Sequence, residues 1–183
     1  MNRHFRGAYA TDAGMHCLWC PTAFRMIDDY EAWEKELLAD SAIRRRIKAA
    51  QFVPINIGSD GSFEIELRVG TAKTPEALSD REAKYLVVES KPYRFASDGK
   101  MCVSGIEYVH CDPTDAVGVL VLPKGEYAVT MHMIGWDEEP GMADKRGLPK
   151  KNALPDFVVL VNPQSEGNTR YRTDIETFPP PPE

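Results

Sequence analysis

The residues of this chain best suited to chemistry are its cysteines and histidines: His16-Cys17-Leu18-Trp19-Cys20 places a Cys-x-x-Cys behind a histidine, and His110-Cys111 supplies an adjacent pair much later. Two thiolates presented from one knuckle, joined by a His/Cys pair from a strand end, would make a tetrahedral zinc site with Cys17, Cys20, His110 and Cys111 as ligands. Spacing alone does not bring the halves together. The same cysteines also fit small hydrophobes buried in an aromatic-rich segment, since free Cys is among the most buried residue types. The expected cofactor is therefore none, with zinc as the alternative. A thioredoxin-like exchange would need the pair at a helix N-terminus within a βαβ unit. Here Pro21 follows at once and no such unit is visible.

Other reaction centres find less support. His4, His16, His110 and His132 are scattered, and none belongs to a recognisable nucleophile motif. Glu64 and Glu66 alternate with Phe63, Ile65 and Leu67, which places them on a solvated sheet face rather than in a buried acid/base pair. Gly58-Ser59-Asp60-Gly61 is too short for a phosphate-binding loop and leads into a strand, not a helix. Arg44-Arg45-Arg46 follows acidic Glu34, Glu36 and Asp40 and fits a solvated helix face. With a formal net charge of −6, most of the surface repels a nucleic-acid backbone, so direct DNA or RNA binding is not expected. The expected reading is a binding protein rather than an enzyme, the alternative being a small zinc-binding domain or metal-dependent enzyme built on the Cys-x-x-Cys knuckle. Its sharpest interface candidate is Trp136-Asp137-Glu138-Glu139, an aromatic anchor followed by three acids that could steer and engage a basic protein partner.

The elements that must position these groups are mostly strands. Ser59-Asp60-Gly61 and Ser97-Asp98-Gly99 each lie between apolar runs, a pattern that predicts tight type I′ hairpins. Pro123-Lys124-Gly125 predicts a third reversal, with Tyr127, Val129, Met131 and Met133 on one face of the strand that follows. Earlier, Ile27, Tyr30, Trp33, Leu37 and Leu38 recur at helical spacing, and Ser41 is placed to cap a second short helix carrying Ile43 and Ile47. Residues 1–26 read as an irregular, aromatic-rich leading arm, and 137–153 as a long loop of the kind that is usually functional or disordered.

The fold class expected is mainly β with a small α part: an antiparallel β-sandwich of about eight strands preceded by two short helices. It occupies residues 1–163, with the helical arm at about 1–50, and 164–183 form a polar, proline-rich tail. At 183 residues the chain can bury a core without disulfide staples. No apolar run nears the ~18 residues of a membrane span, and no apolar segment follows the basic N-terminal residues, so no membrane association is expected and a reducing cytoplasmic setting is.

The run Val121-Leu122-Pro123-Lys124-Gly125-Glu126-Tyr127-Ala128-Val129 resembles the central hairpin of small bacterial β-sandwich proteins, among them inhibitors of competence nucleases and toxin-immunity proteins. That resemblance implies a stoichiometric binder and not a catalyst; joined to the acidic surface, it gives the expectation of an immunity, inhibitor or toxin-antitoxin protein that neutralises a basic toxin or effector.

Overall fold

The computed structural model describes residues 3–164 and 169–179, and ten strands are present among them. They are β1 (His4–Thr11), β2 (Met15–Trp19), β3 (Phe52–Asn56), β4 (Gly61–Val69), β5 (Leu86–Glu89), β6 (Tyr93–Ser97), β7 (Lys100–Gly105), β8 (Gly118–Val121), β9 (Gly125–Ile134) and β10 (Phe157–Pro163). The first sheet runs β1-β4-β10-β9-β5 with β6 also paired to β9, and the second runs β3-β2-β7-β8. Their buried residues form one core, to which β2, β3 and β7 contribute alongside β4, β6, β9 and β10. The fold is β-rich as expected, but the first sheet is mixed: β10 lies parallel to β4 and antiparallel to β9.

The three expected hairpins are not hairpins. β3 pairs with β2 while β4 pairs with β1 and β10; β6 pairs with β9 while β7 pairs with β2 and β8; β8 and β9 also belong to different sheets. Each reversal is a corner that carries the chain from one sheet to the other. The dihedrals give the reason. A type I′ turn needs positive φ at both central residues, yet Gly61 (φ 151°) and Gly99 (φ 131°) are positive and Asp60 and Asp98 are not. One glycine in this region turns the strand out of its plane without returning it alongside itself.

The leading arm is corrected as well, since residues 4–19 supply β1 and β2, and β2 is central in the second sheet. Every residue of β2 is buried. His16 meets Phe63 of the first sheet edge-on, while Trp19, on the opposite face, meets Phe24 of the 3-10 turn Pro21–Phe24 that leads into a helical layer. A strand covered on both sides shows no alternation.

That helical layer comprises α1 (Tyr30–Trp33), which continues as a π-helical turn over Glu34–Leu38, and α2 (Asp40–Lys48). Asp29 caps α1 by accepting from the Ala32 amide at 2.8 Å. Ser41 caps nothing, because α2 begins one residue earlier with Ala39 as its N-cap. Ala42, Ile43 and Ile47 are its buried face. Arg46 is not a solvated charge: its guanidinium lies 5.0 Å from the Phe24 ring centre and bonds Glu36 at 2.6 Å.

The outer face of the first sheet is also covered. Ile134, Leu154, Val158 and Leu160 form a second apolar cluster joined by Leu78, Leu86 and Trp136. Beneath that cover Glu66 is 6% exposed rather than solvated, and meets His4 at 2.9 Å and Arg68 at 3.4 Å. Arg68 in turn bonds Glu82 at 2.7 Å, in α3 (Asp80–Lys84), whose N-terminus Ser79 and Glu82 close as a capping box. The C-terminal segment is also less separate than its composition implies: Phe178 is 1% exposed and meets Phe157 edge-on, and its amide donates to the Asn56 carbonyl at 2.8 Å. A single buried aromatic among prolines and polar residues escapes any compositional reading. Of the terminal proline run, Pro180–Pro182 lie outside the described residues.

The two sheets are in close contact where β1 crosses β7 and β8. A Cβ at Gly105 would stand 2.6 Å from the backbone oxygen of Ala10, and one at Gly118 would overlap the Tyr9 hydroxyl. The Ala10 oxygen belongs to a paired strand and cannot swing aside. Gly105→Ala should therefore destabilise the fold by about 1–3 kcal/mol, read as a lower urea midpoint at unchanged slope. A change within about 0.5 kcal/mol would show that the sheets are not in contact there.

Candidate functional site: an acidic loop over a cavity

The segment between β9 and β10 carries the expected interface residues. β9 ends at Ile134, and Trp136–Glu138 form a 3-10 turn. The following residues fold back on themselves instead of wandering: the Asp144 carboxylate accepts from the Arg146 and Leu148 amides at 2.8 and 2.9 Å, Ala143 bridges Pro149, and the Lys150 amide reaches the Met142 carbonyl. Arg81 clasps this loop at both ends. Its guanidinium makes a two-pronged contact with Glu139, the shorter bond being 2.6 Å, and donates to the Asn152 carbonyl at 2.9 Å.

Trp136 is anchored from below by Asp156. One carboxylate oxygen accepts from the indole Nε1 at 2.8 Å and the other from the Glu64 amide at 2.7 Å, so Asp156 ties the loop to β4. Burial pushes its pKa up, against the two hydrogen bonds that favour the charged form. Under the loop lies a cavity of about 760 Å³, walled by Phe63, Met133, Trp136 and Phe157 and edged by Asp137 and Arg146. Of the four expected contact residues, Asp137 and Glu138 are exposed, and neither meets a basic side chain among the described residues. Trp136 is half-buried and Glu139 is held by Arg81. Arg81 and Asp156 had no signal in the sequence, because both act across separations that spacing does not encode.

The expected zinc ligands lie in different places. Cys17 is fully buried on the helix side of β2, with its thiol 3.7 Å from the Ser104 carbonyl and its pKa raised by burial. Cys20, three residues on, contacts the Thr22 hydroxyl at 3.4 Å. His110 lines a cavity beside Trp33, and Cys111 lines another with Cys102, whose pKa burial pushes up to about 12. Among the described residues no group of three or more His, Cys, Asp or Glu side chains could hold a metal ion. A Cys-x-x-Cys on a strand end sends its thiols to different surroundings, whereas a knuckle would converge them. No helix among the described residues is long and apolar enough to cross a membrane.

Two histidines are buried. His16 bonds the Tyr9 carbonyl at 2.8 Å and His132 the Val158 carbonyl at 3.2 Å, and burial lowers the pKa of both. Since the folded state holds them neutral and the unfolded state protonates near pH ~6.5, their contribution to stability is full above that pH and is lost as pH falls below it. Glu82 acts lower in the scale: burial opposes its ionisation, but Arg68 and Ser79 outweigh it and hold the pKa below the usual carboxylate value. Urea midpoints should thus fall between pH 7.5 and 5.5, and His16→Gln or His132→Gln should flatten that slope. A slope unchanged in both variants contradicts the assignment. For the loop, Arg81→Ala should speed amide exchange across 137–152 while leaving β9 and β10 protected, and equal protection in the two proteins would remove the clasp.

No family model matches the sequence, and no curated protein sequence matches it. Solved structures share the fold. One, described as crocagin biosynthetic gene J, aligns with a TM-score of 0.58 at 14% identity, covering 89% of this chain and 97% of that one. Another is ComJ from Bacillus subtilis, an inhibitor of the DNA-degrading activity of NucA, with a TM-score of 0.51 at 12% identity over 87% of this chain and 96% of that one. The suspected likeness to nuclease-inhibitor proteins is thus met at the level of the fold.

Proposed function

We propose that this protein is a non-catalytic inhibitor of immunity type that binds a basic protein partner through the acidic loop at Trp136–Glu139. The observation that carries the reading is the fold shared with a nuclease inhibitor over nearly the whole of both chains. Physical chemistry agrees with it. An enzyme that acts on nucleic acid presents a cationic surface to the phosphate backbone, and an acidic protein with a net charge of −6 is attracted to that surface at long range. Asp137 and Glu138 supply charge in the turn that opens the loop, and Trp136, fixed by Asp156, supplies an aromatic edge that keeps its place when the partner arrives. Rigid placement matters because ordering a loop on binding subtracts from affinity.

The test is titration against any basic nuclease-like or toxin-like protein encoded by a neighbouring gene. A one-to-one complex should form at micromolar concentration and weaken as salt is raised. Asp137→Lys with Glu138→Lys should weaken it at least about tenfold, ~1.4 kcal/mol, at unchanged melting temperature. No complex, or one indifferent to both salt and charge reversal, overturns the reading.

A further inference from the structure

We infer that a second cavity, between the helical layer and the segment after β7, is a receptor for the guanidinium of an arginine side chain presented by a partner protein. Its biological meaning rests on the proposed binding of a basic partner, while its chemistry is independent of that partner. Tyr30 and Trp33 stand one helical turn apart with ring centres 5.9 Å apart and planes within 14° of parallel. Trp33 is fixed, donating through Nε1 to the Ile106 carbonyl at 2.9 Å. Tyr30 is 68% exposed, so its ring is open to solvent beside the fixed indole. Ile27 and Val109 close the apolar base, and the cavity measures about 320 Å³, enough for a side chain and too small for a folded element.

Two carboxylates give the cavity its charge preference. Asp29 is held by its cap bond to the Ala32 amide, and Glu107 by the Asp12 amide at 2.8 Å and the Thr11 hydroxyl at 3.0 Å. Among the described residues neither meets a lysine or arginine, whereas Glu36, Glu64, Glu66, Glu82, Glu126 and Glu139 each do. Aromatic faces and fixed carboxylates together select a planar cation, which stacks on one and donates to the other. The chain already builds this arrangement internally, with Arg46 over Phe24 and bonded to Glu36. In the cavity the aromatic and acidic parts are present and the guanidinium is left for another molecule to bring.

The probe is N-acetyl-arginine methylamide, with the citrulline analogue as its uncharged isostere, titrated into the full chain and followed by the Trp33 indole and the amides of 27–33 and 106–110 in NMR. Saturable shifts are expected with a dissociation constant on the order of millimolar, as suits one side chain, and citrulline should bind at least about tenfold more weakly. Tyr30 is exposed, so Tyr30→Ala should fold normally and lose binding about fivefold or more, with Tyr30→Phe restoring it. Asp29→Asn keeps a good helix cap and should weaken binding by removing charge. Shifts that do not saturate, or equal binding of arginine and citrulline, overturn the inference and leave the acidic-loop reading standing. Arginine binding in a protein that forms no complex with any basic protein tested keeps the inference and discards the partner.

Discussion

The structure depends on a chain that changes sheet at its tight corners. The links β1 to β2, β3 to β4, β6 to β7 and β8 to β9 all cross between layers, while β2 with β3, β7 with β8 and β9 with β10 are sequence neighbours that pair within one sheet. Neither sheet can be completed before the other, and the ladders close over long separations, which makes the transition cooperative and slow in principle. What holds the layers together is their shared apolar core, drawn to backbone contact where β1 crosses β7 at Gly105.

That arrangement leaves two outer faces to be covered, and the chain uses different means for each. Helical residues pack on the second sheet, with Trp19, Phe24 and Phe52 forming an edge-on aromatic series beneath α2. On the first sheet the cover is thinner and partly ionic. The Glu66, Arg68 and Glu82 chain secures α3, and Arg81 on that helix secures the 136–156 loop. The loop proposed to bind a partner is therefore held by groups rooted in the sheet, which is how a rigid scaffold positions variable contact residues.

How much was legible follows from what each residue meets. β4 and β9 alternate because one of their faces is polar or near solvent, and both were evident from period two. β2 was hidden because both its faces are buried, and Glu66 was misplaced because its polar partners cover it. Asp-Gly announced a reversal correctly at both sites but not its hand, since pairing is decided by the core and not by the four turn residues. The acidic turn at Asp137 and Glu138 was legible as composition. Its supports, Arg81 and Asp156, were not, since each reaches it from a distant part of the chain.

The low identity to proteins of the same fold has a related cause. A core of this kind asks only that apolar residues of fitting volume occupy inward positions, so sequences can diverge widely while the strand order survives. Surfaces are not bound by that demand, and function lives on them. Here some acids cross-link the chain through arginine, and others, Asp29, Glu107, Asp137 and Glu138 among them, meet no lysine or arginine among the described residues. The two groups answer different constraints. Paired acids offset the cost of covering a sheet with polar side chains, whereas acids without an own-chain cation add repulsion within the folded state. A fold gains nothing from keeping such repulsion beside an exposed aromatic such as Tyr30 or a fixed one such as Trp136, and the cationic partner proposed above would remove it on binding.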